Sequence, residues 1–329
     1  MKSPFRIIEV IVFLLLAVLT VSFSLAPHVE KRILVASDDH NATYPTTRGL
    51  YKIKELVESE TNGAIEIKVF HSAQLGSEKE TIELTQMGII DINRVSCSPM
   101  ASFSPNMGVF SLPYIFRDWD HEWKVLDGEI GQRLGRELEK VGLVTVAYYD
   151  SGARSFYNKH RAINSPEDLN GLKVRVQKNP VMIDLVNAMG ASATPMAFEE
   201  VYSAIQTGVI DGAENNPPSY KTTGHYEVAK FYSLDGHSRI PEIVLFSKKV
   251  WDTFSDEERA IIASAAKESE EFQKQLWREQ ELEAMRIVEE AGCKINTPDK
   301  GPFIKAAQPI YDKYASQLGD LIAEIQAVK

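Results

Sequence analysis

The sequence predicts an α/β fold divided into two lobes, and three observations carry that prediction. Strand-like alternating segments are separated by helix-like segments along most of the chain. The 329 residues are 44% hydrophobic and 25% charged, enough to bury one large core or two smaller ones. Toward the carboxyl terminus, one uninterrupted helical stretch is longer than a typical lobe is wide.

Residues 31–37, KRILVAS, read as a first strand. The polar cluster Asp38-Asp39-His40-Asn41 follows at its carboxyl end, where open α/β sheets place ligands, which makes Asp39 and His40 candidates for a site. A helix is expected over 46–60, stopped by Asn62-Gly63, and residues 64–70 then alternate with Ile65, Ile67 and Val69 on one face. A helix near 77–88, a strand over 89–95 and further strands over 143–149 and 172–176 continue the β-α-β order, which implies largely parallel sheets. Ser255-x-x-Glu258 is a capping box, and no Pro or Gly interrupts the chain from there to Gly292. A helix over that stretch runs about 55 Å at about 1.5 Å per residue, so it is expected to span both lobes or bend along the back of the molecule.

At the amino terminus Lys2 and Arg6 precede an apolar run over residues 10–25, closed by the small-x-small pattern Ser24-Leu25-Ala26. That is the pattern of a secretory signal peptide over residues 1–26. The alternative is an uncleaved anchor, since the run approaches the roughly 20 residues that span a bilayer. No cysteine follows the run, so a lipid anchor is not expected, and no later stretch is apolar enough to cross a membrane. Residues 1–26 carry Lys2, Arg6 and Glu9, a charge of +1, so removing them takes the net charge from −10 to −11. Such acidity argues against nucleic acid and anionic lipid as partners. Cys97 and Cys293 are compatible with a disulfide in an exported protein and equally with two buried thiols.

The chain contains no G-x-S-x-G elbow, Walker A loop, G-x-G-x-x-G turn or H-E-x-x-H helix, and its seven histidines and two cysteines show no zinc spacing. An enzyme is therefore not expected, nor is a metal or a cofactor. Arginines stand in unusual company instead. Arg94 ends an apolar strand, Arg154 follows Ser151-Gly152-Ala153, and Arg175 lies inside LKVRV. An arginine ordinarily makes a structural ion pair or reaches solvent. Within an apolar strand it needs a partner, and its planar fork matches a carboxylate in a way a lysine cannot. Glu78, Asn215 and Phe198 have ordinary readings as a charge at a helix start, a turn former and a core residue.

The strings FHSAQLGSEKE (70–80), RAINSPEDLNGLKVRV (161–176) and GASATPMAFEEVYSAIQTGVIDGAEN (190–215) occur in order. They resemble the substrate-receptor subunits of TRAP (tripartite ATP-independent periplasmic) transporters, and the likeness covers the chain beyond residue 26. The resemblance implies a two-lobed periplasmic solute-binding fold with a hinge, a central cleft and a long helix spanning both lobes. It implies a first lobe of residues 27–151 and 241–280 and a second of 152–240 and 281–329.

In that family the arginine of L-K-x-R clamps the substrate carboxylate, which falls on Arg175, and a second arginine falls on Arg154. The family's asparagine in D-G-x-E-N falls on Asn215, its phenylalanine after P-M-A on Phe198, its acidic residue after Q-L-G on Glu78 and a cleft histidine on His237. Glu78 and Arg94 are expected to read hydroxyl groups from the first lobe. The family's sialic acid receptors carry a glutamate where Ser96 stands, which argues against sialic acid. Residues 216–242 resemble receptors for sugar acids such as glucuronate and galacturonate. The implied function is a periplasmic receptor that delivers a small organic acid to transporter membrane subunits. A C4-dicarboxylate receptor is the alternative within the family, and an exported sugar-acid enzyme the alternative outside it.

Overall fold

The computed structural model describes residues 31–329, so the expected signal segment lies outside the described residues. Strand β1 (Arg32–Ser37), helix α1 (Pro45–Glu60), β2 (Ile65–Phe70), α2 (Glu78–Met87) and β3 (Ile92–Ser96) follow in the expected alternation. Pro45 opens α1, where its missing N–H costs nothing. Ser77 and Glu80 close a capping box at the start of α2, and Gly88 ends it in the left-handed conformation at φ 80°. Strand β3 begins later than expected, at Ile92: Ile89 is 59% exposed, so the apolar pair Ile89-Ile90 belongs to the connection rather than the sheet.

β4 (Leu143–Tyr149) completes the first run of strands, and the chain then builds β5 (Arg154–Asn158), β6 (Lys173–Val176), β7 (Ser192–Pro195) and β8 (Gly212–Asn215). Helix α3 (Pro217–Thr222), β9 (Phe231–Ser238) and β10 (Glu242–Ser247) follow, then α4 (Asp256–Glu290), β11 (Lys294–Asn296) and α5 (Lys300–Ala327). The strands form two sheets, one ordered β2-β1-β3-β10-β4 and the other β11-β9-β5-β8-β6-β7. These are the centres of two lobes. Each sheet is mixed rather than largely parallel, because one strand in each runs against its neighbours. β10 lies antiparallel between β3 and β4, and β5 lies antiparallel between β8 and β9. Both are strands that the chain enters directly after crossing from the other sheet, so no helical crossover sets their direction.

Separate apolar clusters lie within each lobe, one around Leu34, Ile53 and Phe246 and one around Tyr157, Tyr220 and Tyr232. A third joins the lobes where the strands cross, from Val95, Tyr148 and Ile243 to Phe156 and Val174. Helix α4 runs 35 residues from its Ser255–Glu258 capping box and packs on α1 and β4 of one lobe and on α3 of the other. Cys97 and Cys293 are buried free thiols. No helix among the described residues is long and apolar enough to cross a membrane.

Gly212 is where the second sheet tolerates no side chain: an added Cβ would lie 2.0 Å from the Tyr157 carbonyl oxygen and 2.7 Å from the Asn158 Cα. Gly212→Ala is therefore expected to destabilise the protein by about 1–3 kcal/mol, as overpacking does. Urea unfolding with an unchanged midpoint would show that β8 can shift freely.

Candidate functional site

Strand ends from the two sheets face one another across a cavity of about 20 Å³. From the first lobe come Asp39 and His40 after β1, Glu78 at the start of α2, Arg94 and Ser96 on β3, and Glu242 at the start of β10. From the second come Arg154 on β5, Arg175 and Gln177 at β6, Asn215 on β8, Ser219 on α3, and Phe198. Apart from His237, the residues singled out in the sequence meet here. A larger hollow of about 540 Å³ lies between β4, the helix Glu129–Glu137 and α4, away from these strand ends. Its Lys267 and Glu270 are already paired at 2.7 Å.

Arg94 is the hub of the first-lobe wall. Nε donates to Asp38 at 3.0 Å, Nη1 to Glu242 at 2.6 Å, and Nη2 to both Asp38 and Asp39. Glu78 approaches to 3.9 Å and accepts the Ser96 backbone N–H at 2.6 Å. Burial opposes the charge on Arg94, but Asp38, Asp39 and Glu242 outweigh it and hold its pKa far above the usual value. Three carboxylates thus hold the fork that the sequence expected to read hydroxyls. The carboxyls of Glu78 and Glu242 are pushed up, by burial first and then, for Glu78, by Asp39. For Glu242 the attraction of Arg94 is not enough to reverse the shift. His40 stacks on Tyr44 at 3.6 Å, and burial together with Arg94 keeps it neutral.

The second-lobe wall holds two arginines in contrasting states. Arg154 grips Glu214 in a fork, with Nε at 2.5 Å and Nη2 at 2.8 Å, and its Nη1 donates to Asn215 Oδ1 at 2.9 Å. It is 3% exposed, so this arginine stands locked in a buried pair rather than waiting unpaired. Arg175, equally buried, donates Nε and Nη2 to the Met196 carbonyl at 3.0 and 2.9 Å. Among the described residues no carboxylate lies within ion-pair distance of it and its Nη1 has no hydrogen-bond partner. Burial, and secondarily Arg154, push its pKa down, and Glu214 does not offset them. Phe198 lies under the guanidinium at 5.7 Å and meets His40 edge-on at 4.9 Å.

His237 sits behind this wall and does not line the cavity. It is fully buried, with Nδ1 2.8 Å from Asp235 and Nε2 3.5 Å from Glu214, so it supports the carboxylate that holds Arg154. Burial opposes its charge, but Asp235 and Glu214 outweigh burial and raise its pKa to about 9. Glu214 in turn is held down at about 2, because Arg154 and His237 outweigh its burial.

Gln177, Asn216, Ser219 and Glu242 also line the cavity and were not singled out in the sequence. Gln177 Oε1 is buried with no hydrogen-bond partner. Its position two residues after Arg175, on the same face of an extended strand, was the available signal. Among the described residues no group of His, Cys, Asp and Glu is placed to hold a metal ion.

Residues 36–317 match the family described as bacterial extracellular solute-binding protein, family 7. The chain belongs to that family. It is 40% identical over 291 residues to a solute-binding protein of Chromohalobacter salexigens, covering 87% of both chains. Among solved structures it resembles a TRAP periplasmic solute binding protein from Sulfitobacter sp. NAS-14.1 with bound β-D-galacturonate, with a TM-score of 0.87 and 42% identity over 89% of this chain and 98% of that one. It also resembles one from Roseobacter denitrificans with bound β-D-glucuronate, with a TM-score of 0.88 and 40% identity over 90% of this chain and all of that one, 100%. Members of the family, these neighbours included, are solute-binding receptors.

Since the folded His237 holds its proton up to about 9 against an ordinary 6.5, its stabilising contribution is complete below pH 6.5 and is lost as pH rises through 9. The difference in melting temperature between the wild type and His237→Asn is expected to shrink across that window. A difference that stays constant from pH 6 to about 9.5 would show that His237 is neutral in the fold.

Proposed function

We propose that the chain is the periplasmic receptor of a TRAP transporter, that it binds a hexuronate such as glucuronate or galacturonate, and that it hands this ligand to the transporter's membrane subunits. The observation that carries the reading is Arg175, a buried guanidinium at the meeting of two lobes with no carboxylate of its own. An unpaired buried charge is costly, and an organic carboxylate supplies the missing partner through a charge-assisted hydrogen bond. Asn215, Arg154 and Gln177 stand on the same lobe as Arg175, while Asp39, Glu78 and Glu242 on the facing lobe suit the hydroxyls of a sugar acid. The galacturonate and glucuronate bound by its structural neighbours support the choice of hexuronate over a C4 dicarboxylate.

Lobes of residues 27–151 with 241–280, and 152–240 with 281–329, would close over the ligand about the strand crossings, with α4 bridging them. Closure driven by a ligand requires contacts from both sides, because only its preference for the closed form shifts the equilibrium. The family and its solved neighbours are solute-binding receptors, which supports binding over turnover.

Titration calorimetry with D-glucuronate and D-galacturonate tests this reading. At least one is expected to bind, and Arg175→Ala is expected to weaken binding by about 2–5 kcal/mol, as loss of one side of a buried charge pair does. Arg175→Lys should also bind more weakly, since an ammonium does not reproduce the fork. Unchanged affinity in Arg175→Ala would remove the clamp, and recovery of altered sugar acid after incubation would favour an enzyme.

A further inference from the structure

The two walls of the cavity carry opposite charge. On the second-lobe side Arg154 and Arg175 face Glu214, whose carboxylate Arg154 already occupies. On the first-lobe side Arg94 alone faces the carboxyl groups of Asp38, Asp39, Glu78 and Glu242. One guanidinium does not balance four carboxyls, and even with Glu78 and Glu242 protonated the two aspartates outnumber it. His40 adds no positive charge, because burial keeps it neutral.

A second, independent observation concerns hydrogen-bond type. Gln177 Oε1 is an acceptor buried in this cavity without a donor, on a side chain 7% exposed. On the facing wall Asp39, Glu78 and Glu242 offer carboxyl oxygens, of which Arg94 and the Ser96 N–H take only one each. What these oxygens call for is donors. A hydroxyl group supplies one, whereas a carboxylate brings only further acceptors and further negative charge.

We propose that the first-lobe wall of Asp39, Glu78 and Glu242 sets the class of acid accepted: a sugar acid with one carboxylate and an uncharged, hydroxyl-bearing far end. Acids with a carboxylate at each end, aldarates and C4 dicarboxylates alike, are refused there. The inference rests on the sugar-acid reading and deepens it by assigning the two ends of the ligand to opposite walls. The refusal has two physical sources: like charges brought together out of water, and buried acceptors left without donors. A site built to receive hydroxyl hydrogens discriminates more sharply against their absence than an apolar pocket discriminates by size.

The test is calorimetry on the full chain with D-glucuronate, D-galacturonate, D-glucarate, galactarate and succinate, repeated with Glu242→Gln and Glu78→Gln. The diacids are expected to bind at least roughly 100-fold more weakly than the better uronate. Each variant should narrow that ratio by about tenfold, because an amide that can donate to a second carboxylate replaces one carboxyl of the wall. The wild-type ratio stands as a test even if one variant does not fold. A diacid bound as tightly as the uronate overturns the charge filter while leaving the uronate reading intact. A ratio unchanged in both variants overturns the assignment to these glutamates. Failure of every uronate to bind defeats the underlying reading, and the inference with it.

Discussion

A guanidinium taken out of water and held by a single carbonyl is an arrangement that folding alone does not favour. The desolvation of a charge costs several kcal/mol, and one carbonyl oxygen returns only part of it. Arg175 is kept there because its strand leaves it no alternative. β6 is hydrogen-bonded between β7 and β8, so Arg175 is fixed opposite Thr194 and Ala213. The carboxylate that does most to favour its charge, Glu214, is held by the fork of Arg154 and backed by His237. The network around Arg154 thus does two things at once: it satisfies one arginine and it denies that carboxylate to the other.

The same logic separates the three arginines that the sequence brought forward. Each is almost fully buried, so burial alone does not rank them. Arg94 has three carboxylates within hydrogen-bond reach and Arg154 has one in bidentate geometry, so both are satisfied by the protein. Truncating either would leave buried carboxylates uncompensated, and the damage would fall on the fold as well as on the site. Arg175 is the one held by a carbonyl alone, with no carboxylate of its own.

Most of the architecture was legible because it follows from periodicity and punctuation. The Ser255–Glu258 capping box and the absence of Gly and Pro as far as Gly292 marked α4, and the β-α-β alternation marked the first lobe. What was not legible was strand direction, since β10 and β5 alternate like their neighbours and nothing local encodes which way they run. In the site, residues inside recognisable strings could be placed, but pairing could not. The local sequence around Arg94 contains no sign of Asp38, 56 residues away, or of Glu242, 148 residues away. An isolated arginine in a strand therefore looked equally available at 94, 154 and 175, and only the fold distinguishes them. Gln177 and Ser219 escaped notice for a related reason: polar residues near a turn are common, and what sets these apart is the cavity they face.

The lobes are also tied by contacts that flank the cavity without being charged. The Tyr44 hydroxyl, at the start of α1, shares a hydrogen bond of 2.8 Å with Ser219 on α3, and Asn179 Nδ2 reaches the Ser98 carbonyl at 2.8 Å. His40 and Phe198 meet across the same seam. Neutral hydrogen bonds are worth only about 0.5–1.5 kcal/mol each, because separation of the lobes returns them to water. The charged groups are different, since opening hydrates them and closing strips that water away. On the proposed reading, seam contacts of modest strength beside a guanidinium lacking its counter-charge would give an equilibrium in which the anion's own binding decides how firmly the lobes stay together.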